Sequence, residues 1–227
     1  MRKLFLFVVV LALLAAVAIL PRNFQARQQA QKDFEEASQR IKATIAAGKT
    51  VLDFSDLPRL RQLPDEIGQL PDLWHLNLAE TEISSLGKIS QLPQLKYLSL
   101  RNTRVHDLAP LVGNDNLEFL DIGKTLVQDL EPLTQIRSLE RVDIGSTEIL
   151  TLEPATRIRR LIWINLHRSY AHDGSRKHYD RLFETVPEVF NGSAFKQNYV
   201  PAPLYLLKTQ LNRLADRLYL PRPFPRP

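Results

Sequence analysis

At 227 residues, with 44% hydrophobic and 24% charged side chains, the chain has the material for one folded domain with attachments. It contains no cysteine, which excludes disulfides, thiolate nucleophiles, Cys-ligated metals and Cys-linked lipid anchors. The formal charge of +5 is uneven: residues 1–48 carry seven Lys/Arg against three Asp/Glu, residues 49–171 fourteen against seventeen, and residues 172–227 nine against five. The surplus sits at the two ends and not in a clustered groove, so nucleic acid is not an expected partner.

The N-terminus opens with Met1-Arg2-Lys3 and an uncharged apolar run, Leu4 to Leu20, closed by Pro21-Arg22. A run of 17 residues lies between a long signal-peptide core and the shortest spanning helix, so residues 1–21 are expected to enter a membrane. Ala16-Val17-Ala18 fits a cleavage site, whereas Ile19 and Leu20 carry the apolar run past it; an uncleaved anchor and a cleaved signal both remain open. Arg2 and Lys3 favour a cytoplasmic N-terminus. The remainder is then expected on the periplasmic or outer face of an inner membrane, or released there after cleavage.

Residues 22–48 follow, with Phe34, Ala37, Ile41 and Ile45 at helical spacing and Gly48 as a stop. This segment reads as an amphipathic helix, serving either as a spacer from the bilayer or as a lid on the open end of the next region.

From 49 to 171 the sequence repeats. Leu73, Leu95, Leu117, Leu139 and Leu161 stand 22 residues apart, and further columns keep the same frame. These include Leu76/Leu98/Leu120/Val142/Ile164, Leu78/Leu100/Ile122/Ile144/Leu166 and Thr81/Thr103/Thr125/Thr147/Ser169. Within each unit the L-x-L alternation has period two, which predicts a short strand with two apolar side chains pointing inward. One unit cannot bury its own apolar face, so the units must stack with parallel strands and return along the opposite side. The Thr column falls at the strand exit, where hydroxyls can serve backbone groups. Asp107-Leu108-Ala109-Pro110 and Asp129-Leu130-Glu131-Pro132 suit capped, proline-started helical turns.

The pattern L-x-x-L-x-L-x-x-T-x-I-x-D-L-x-P-L resembles the leucine-rich-repeat family, in the 22-residue class of internalin-like bacterial proteins. Val51 to Leu70 looks like a degenerate first repeat with one extra residue, and a helix ending in Gly before "LDFS" resembles the N-terminal cap of bacterial members. Thr stands where most members have Asn, and Asn114 replaces an apolar residue, which points to a looser turn there. The resemblance implies an α/β solenoid: a horseshoe of about six strands with a concave parallel β-sheet, closed by α-helical caps at both ends.

On that fold, recognition is expected on the outward strand positions. One column reads His75, Tyr97, Phe119, Arg141 and Trp163; the next reads Asn77, Ser99, Asp121, Asp143 and Asn165; a third reads Ala79, Arg101, Gly123, Gly145 and His167. Tyr, Trp and Arg dominate interface energetics, while Asp and Asn add hydrogen-bond specificity. The expected ligand is a protein or peptide, and Gly123 and Gly145 leave room for a ligand backbone to approach. The opposing reading is that the protein's own C-terminal segment covers these aromatics.

Past Tyr170 the composition changes, and residues 172–219 read as a helical C-terminal cap. "DGSRKHYDRLFETVPEVF" predicts a short helix stopped before Pro187. Leu204, Leu207, Leu211, Leu214 and Leu218 form an apolar helix face at 3-4-3-4 spacing. Pro221 to Pro227 reads as an extended basic tail within 220–227. That leucine face supports a second functional reading, a structural envelope protein that interacts through its C-terminal helix. His167, His172 and His178 match no metal-ligand spacing, no cofactor-binding or catalytic motif is present, and the chain does not read as an enzyme.

Overall fold

The computed structural model describes residues 2–169 and 176–190; for residues 2–23, 176, 177 and 179 it describes the backbone only. The element order is α1 (Arg2–Ala46), β1 (Val51–Asp53), β2 (His75–Asn77), β3 (Tyr97–Ser99), β4 (Phe119–Asp121), β5 (Arg141–Asp143), β6 (Trp163–Asn165), α2 (Arg176–Thr185) and β7 (Glu188–Phe190). The strands form one parallel sheet in sequence order, β1 to β7. From β2 to β6 each pairing advances one repeat in perfect register, as in His75 to Tyr97 to Phe119 to Arg141 to Trp163.

Two particulars differ from the sequence expectation. Val51 pairs with His75, 24 positions on, so the first unit has two residues more than its successors, one beyond the single extra residue expected. The sheet also has seven strands, because Glu188–Phe190 lies in the segment expected to be wholly helical and pairs parallel with β6. The helix that precedes it ends at Thr185, two residues before Pro187, as the proline predicts.

The core is the set of repeat columns. Leu73, Leu76, Leu78, Ile83, Leu86, Leu92 and their apolar equivalents among the described residues of the following units are buried in one continuous cluster, with Asn114 alone breaking the Leu92 column. The stack supplies what a single unit lacks: every interior leucine has neighbours above and below. Opposite the sheet, the return path consists of short 3-10 segments at Asp65–Gln69, Ile89–Gln91, Ala109–Leu111, Glu131–Gln135 and Pro154–Arg157. The carboxylates of Asp107 and Asp129 accept from the Ala109 and Glu131 N–H groups at 2.8 Å each, which starts the proline-containing turns as expected.

The strand exits have a fixed construction. Glu80, Asn102, Lys124, Ser146 and Arg168, one per unit, all adopt left-handed backbone with φ between 56° and 64°. Only Asn among these residue types favours that region, and each of the others adds strain that the surrounding unit must outweigh. The next residue is the Thr column, whose hydroxyl donates back across the turn: Thr81 to the Leu78 carbonyl and Thr103 to the Leu100 carbonyl, both at 2.7 Å. Thr125 and Thr147 repeat the bond to Ile122 and Ile144. Ser169 differs, donating to Ile144 of the preceding unit.

Asn114 does not loosen its turn. It is 2% exposed, and its Nδ2 donates to the Leu92 carbonyl at 3.2 Å and the Ile89 carbonyl at 3.4 Å, tying its unit to the one before.

At the first end, α1 packs Ala37 and Ile41 into the core, with Phe34 and Ile45 beside them. Arg40 Nη1 donates to the Asp53 carbonyl of β1 at 2.6 Å, and the guanidinium also engages Asp56 with both nitrogens. Buried Asp33 accepts the Arg59 N–H at 2.8 Å. The helix therefore packs over the β1 end of the sheet, as the lid expectation has it, and it runs unbroken from Arg2 to Ala46. At the other end, α2 packs on the Pro154–Arg157 segment with Leu182 and Val186 buried.

Among the described residues no helix is long and apolar enough to cross a membrane. The membrane-entry expectation for Leu4 to Leu20 falls on side chains outside those described, as do the expectations for His172, the leucine face at 204–218 and the tail at 220–227.

Candidate functional site: the concave sheet face

Alternation along three-residue strands puts the central apolar residue of each unit into the core and the residues on either side onto the opposite face of the sheet, the face expected to be concave. Because the units stack in register, residues of one column lie at strand spacing, ~4.8 Å apart. Flat rings at that spacing stack. His75 and Tyr97 have ring centroids 4.1 Å apart at 15°, and Tyr97 and Phe119 4.7 Å apart at 6°. Arg141 takes the next place, with its guanidinium 5.0 Å from the Trp163 ring centre, and Phe119 lies 6.4 Å from Trp163. The expected stripe is thus a cofacial ladder with a cation inserted before its last ring.

Trp74 belongs to the same site, although it stands one position before the column. Its ring meets His75 edge-on at 5.3 Å and packs against the Tyr97–Phe119 pair. Phe190 of β7 extends the surface to the far end, with its ring 6.1 Å from that of His167.

The second column does a different job. The side-chain oxygens of Asn77, Asp121, Asp143 and Asn165 accept the N–H two residues on, from Ala79, Gly123, Gly145 and His167, at 3.1, 2.9, 2.8 and 2.9 Å. These Asx turns begin the exits of β2, β4, β5 and β6, so the acidic and amide residues first serve the fold. Lateral bonds join them: Asn165 Nδ2 donates to both oxygens of Asp143 at 3.0 Å, and Asn77 Nδ2 to Asp53 Oδ1 at 3.1 Å. Ser99, buried in β3, lies between Asn77 and Asp121.

Electrostatically the centre is strained. Burial, and the neighbouring Asp143 charge, push the Asp121 carboxyl up to about 7, against the opposing pull of the Gly123 N–H, Arg101 and Ser99. Arg101 Nη1 lies 3.8 Å from Asp121 and 3.8 Å from Asp143. His75 is pushed down to about 4 by burial, partly offset by the Asp53 charge, so its imidazole is neutral at neutral pH.

The glycines leave no vacant space. A Cβ on Gly123 would stand 2.4 Å from Arg101 Nη1 and 3.1 Å from the Gly145 carbonyl. On Gly145 it would meet Asp143 Oδ1 at 3.0 Å and the His167 carbonyl at 3.3 Å. The room expected for a ligand backbone is occupied by the chain's own atoms.

In-register 22-residue units, each with one strand, a left-handed exit and a hydroxyl-closed turn, define a leucine-rich-repeat solenoid. No protein-family model matches the chain, and no curated protein does. Among solved structures, internalin C2 from Listeria monocytogenes is similar at 23% identity and TM-score 0.48, over 63% of this chain and 67% of that one. A second internalin of the same organism, inlF, is similar at 20% identity and TM-score 0.45, over 61% of this chain and 49% of that one.

Proposed function

We propose that the chain is a recognition module that binds a protein or peptide through its concave sheet, held at a membrane by residues 4–20 with the repeats on the periplasmic or outer side. The observation that supports binding is the cofacial ladder of His75, Tyr97, Phe119 and Trp163 with Arg141 among them. Aromatic and Arg side chains held rigid by stacking lose little conformational entropy on association, which makes them strong anchors. The ladder crosses four strand spacings, ~19 Å, the length of a short peptide or one edge of a partner. The tether is supported by Met1-Arg2-Lys3 ahead of 17 uncharged residues, continuous in α1 with the helix that closes the first repeat.

A photo-crosslinker placed at Trp163 in growing cells tests the binding reading. It should capture a distinct protein that the same probe at Thr134, on the opposite side, does not. Equal capture from both positions, or none from Trp163, rejects the concave face as the binding surface. Mass measurement of the mature N-terminus tests the tether: a start at Met1 supports it, and a start near Ile19 means release.

A further inference from the structure

Helix α1 determines which side of the repeats faces whatever holds its N-terminus. It runs against β1: the Lys49 N–H closes the helix on the Thr44 carbonyl just ahead of the strand, Arg40 meets the Asp53 carbonyl at the strand's end, and Asp33 accepts the Arg59 N–H past it. Residues 2–32 of the same unbroken helix therefore project beyond the strand exits and not beyond the strand entries.

The exit edge carries a surface that fits this placement. Arg59, Arg61 and Arg104 converge on the Glu82 carboxylate, Arg61 at 2.9 Å and Arg104 at 3.0 Å, with Arg59 beside them. Burial works to raise that carboxyl, but the bonds from Arg61 and Arg59 and the charge of Arg104 outweigh it, so Glu82 stays ionised. No other described carboxylate pairs with these three guanidiniums, and all three are exposed. Three cations against one anion leave a positive surplus that Glu82 holds in place. Farther along the edge stand Leu126 and Leu150, 62% and 50% exposed. Burial alternates there, with Thr125 and Val127 inside and Leu126 and Gln128 outside. The Arg104, Leu126 and Leu150 N–H groups donate to the Ile83, Val105 and Gln128 carbonyls of the preceding units, so these residues adjoin along one edge.

A basic cluster beside exposed leucines suits an anionic bilayer surface, where cations meet phosphate groups and apolar side chains enter between them. From Asp33 back to Pro21, where the apolar run ends, α1 is ~18 Å long, and headgroups take up ~6 Å of it, so an upright helix would leave the edge ~12 Å short. Leu126 stands three units beyond the first, ~24 Å from the helix axis, and a lean of ~30° towards the stack lowers it by that distance, within the tilts that spanning helices adopt.

We propose that the exit edge docks on anionic lipid headgroups, with Arg59, Arg61 and Arg104 on the phosphates and Leu126 and Leu150 seated among them. This rests on the reading of residues 4–20 as a membrane tether. It stands the strands upright on the bilayer, with the aromatic stripe open to the side and the strand entries farthest from the lipid.

Because the chain has no cysteine, a single introduced one carries a fluorophore at a chosen place. Gln128→Cys puts the label on the exit edge between Leu126 and Leu150, and Gln94→Cys puts it ahead of β3 on the entry side. The full chain, one copy per nanodisc, is read by quenching from nitroxide-bearing headgroups, in phosphatidylcholine discs and in discs that also contain phosphatidylglycerol. With phosphatidylglycerol the label at 128 should be quenched at least about fivefold more than the label at 94, and without it the difference should fall away. The neutral set Arg59→Gln, Arg61→Gln, Glu82→Gln and Arg104→Gln, which leaves no orphaned carboxylate, should weaken docking about tenfold. If that set fails to fold, the comparison of the two lipid mixtures decides alone. Chains that stay with the discs but quench equally at 128 and 94, or without regard to phosphatidylglycerol, overturn the docking, leave the tether standing and leave the basic cluster to a soluble acidic partner. Docking that survives the neutral set also overturns it. Chains that elute apart from the discs reject the tether, and the docking with it.

Discussion

Arg101 holds its guanidinium 3.8 Å from Asp121 and 3.8 Å from Asp143, over the bare Cα of Gly123. One cation is thus shared between two buried carboxylates on adjacent strands, and a contact that long does not neutralise both. Burial and the Asp143 charge raise the Asp121 carboxyl to about 7 against the partial relief from Arg101, and that shift has a sign for stability. Ordinary Asp titrates near 3.9 when unfolded, so between roughly pH 4 and 7 the folded chain holds a proton that the unfolded chain has lost. Asp121 therefore makes the fold less stable as pH rises through that window, with no further change above it.

Asp121→Asn removes this penalty while keeping an oxygen to accept the Gly123 N–H. At pH 8 the variant should melt several degrees above the parent, ~2–4 °C for each kcal/mol gained in a chain of this size. The advantage should shrink as pH falls toward 4. Thermal melts across pH 4–8 check it, and a constant offset would show that Asp121 is ionised throughout.

His75 acts in the opposite direction over part of the same range. Its folded value of about 4 lies below the ordinary 6.5, so as pH falls between these values the unfolded chain takes up a proton that the folded chain refuses. The contribution present above 6.5 is lost progressively down to 4. His75→Phe keeps a ring against Tyr97 and cannot titrate. Its stability relative to the parent should grow as pH falls from 6.5 to 4 and stay level below; urea titrations at pH 4, 5, 6 and 7 read the difference.

Periodicity makes the strands legible because each column answers to one constraint, burial between identical neighbours. The aromatic column is readable for the same reason, since registered strands put equal positions side by side. What periodicity does not show is the chemistry at the exits. Glu80, Lys124 and Arg168 carry no local preference for left-handed backbone, and they adopt it because the stack imposes it. The acidic column reads as ligand-facing, yet Asp121 and Asp143 spend an oxygen each on turn N–H groups, a use invisible without the backbone. Strand β7 is hidden in the sequence because Glu188-Val189-Phe190 falls outside the repeat frame and owes its pairing to the open edge of β6.

Asn114 occupies the place held by Leu92, Ile136 and Ile158 in neighbouring units. Its Nδ2 reaches two carbonyls, but both already accept backbone N–H groups, Ile89 from Leu92 and Leu92 from Leu95, and its Oδ1 has no hydrogen bond. Asn114→Leu gives up weak bonds, removes an unsatisfied oxygen and restores apolar packing. The expected gain is about 1 kcal/mol, measurable by urea unfolding. A loss of that size would mean the inter-unit bonds matter more than the buried oxygen.

Arg40 tests whether the first repeat depends on α1 for its edge. One guanidinium spans the Asp53 carbonyl and both oxygens of Asp56, so its planar fork is needed, and a lysine ammonium cannot make all three contacts. Asp56 is well exposed, so the ion pair itself adds little. The bond to the strand carbonyl should dominate. Arg40→Met, which keeps an unbranched apolar stem but gives up the guanidinium 5.8 Å from the Phe54 ring centre, should cost about 1 kcal/mol. Arg40→Lys should recover only part of that. The clearer readout is local, by hydrogen exchange at two amides. The Phe54 amide, which donates to the Asn77 carbonyl across the β1–β2 pair, should exchange faster in Arg40→Met, while the core amide of Ile122, three strands away, stays protected. If both amides accelerate together, the edge and the solenoid unfold as one unit and Arg40 supports the whole stack; if neither changes, the apolar face of α1 and the Asp33 bond hold it without Arg40.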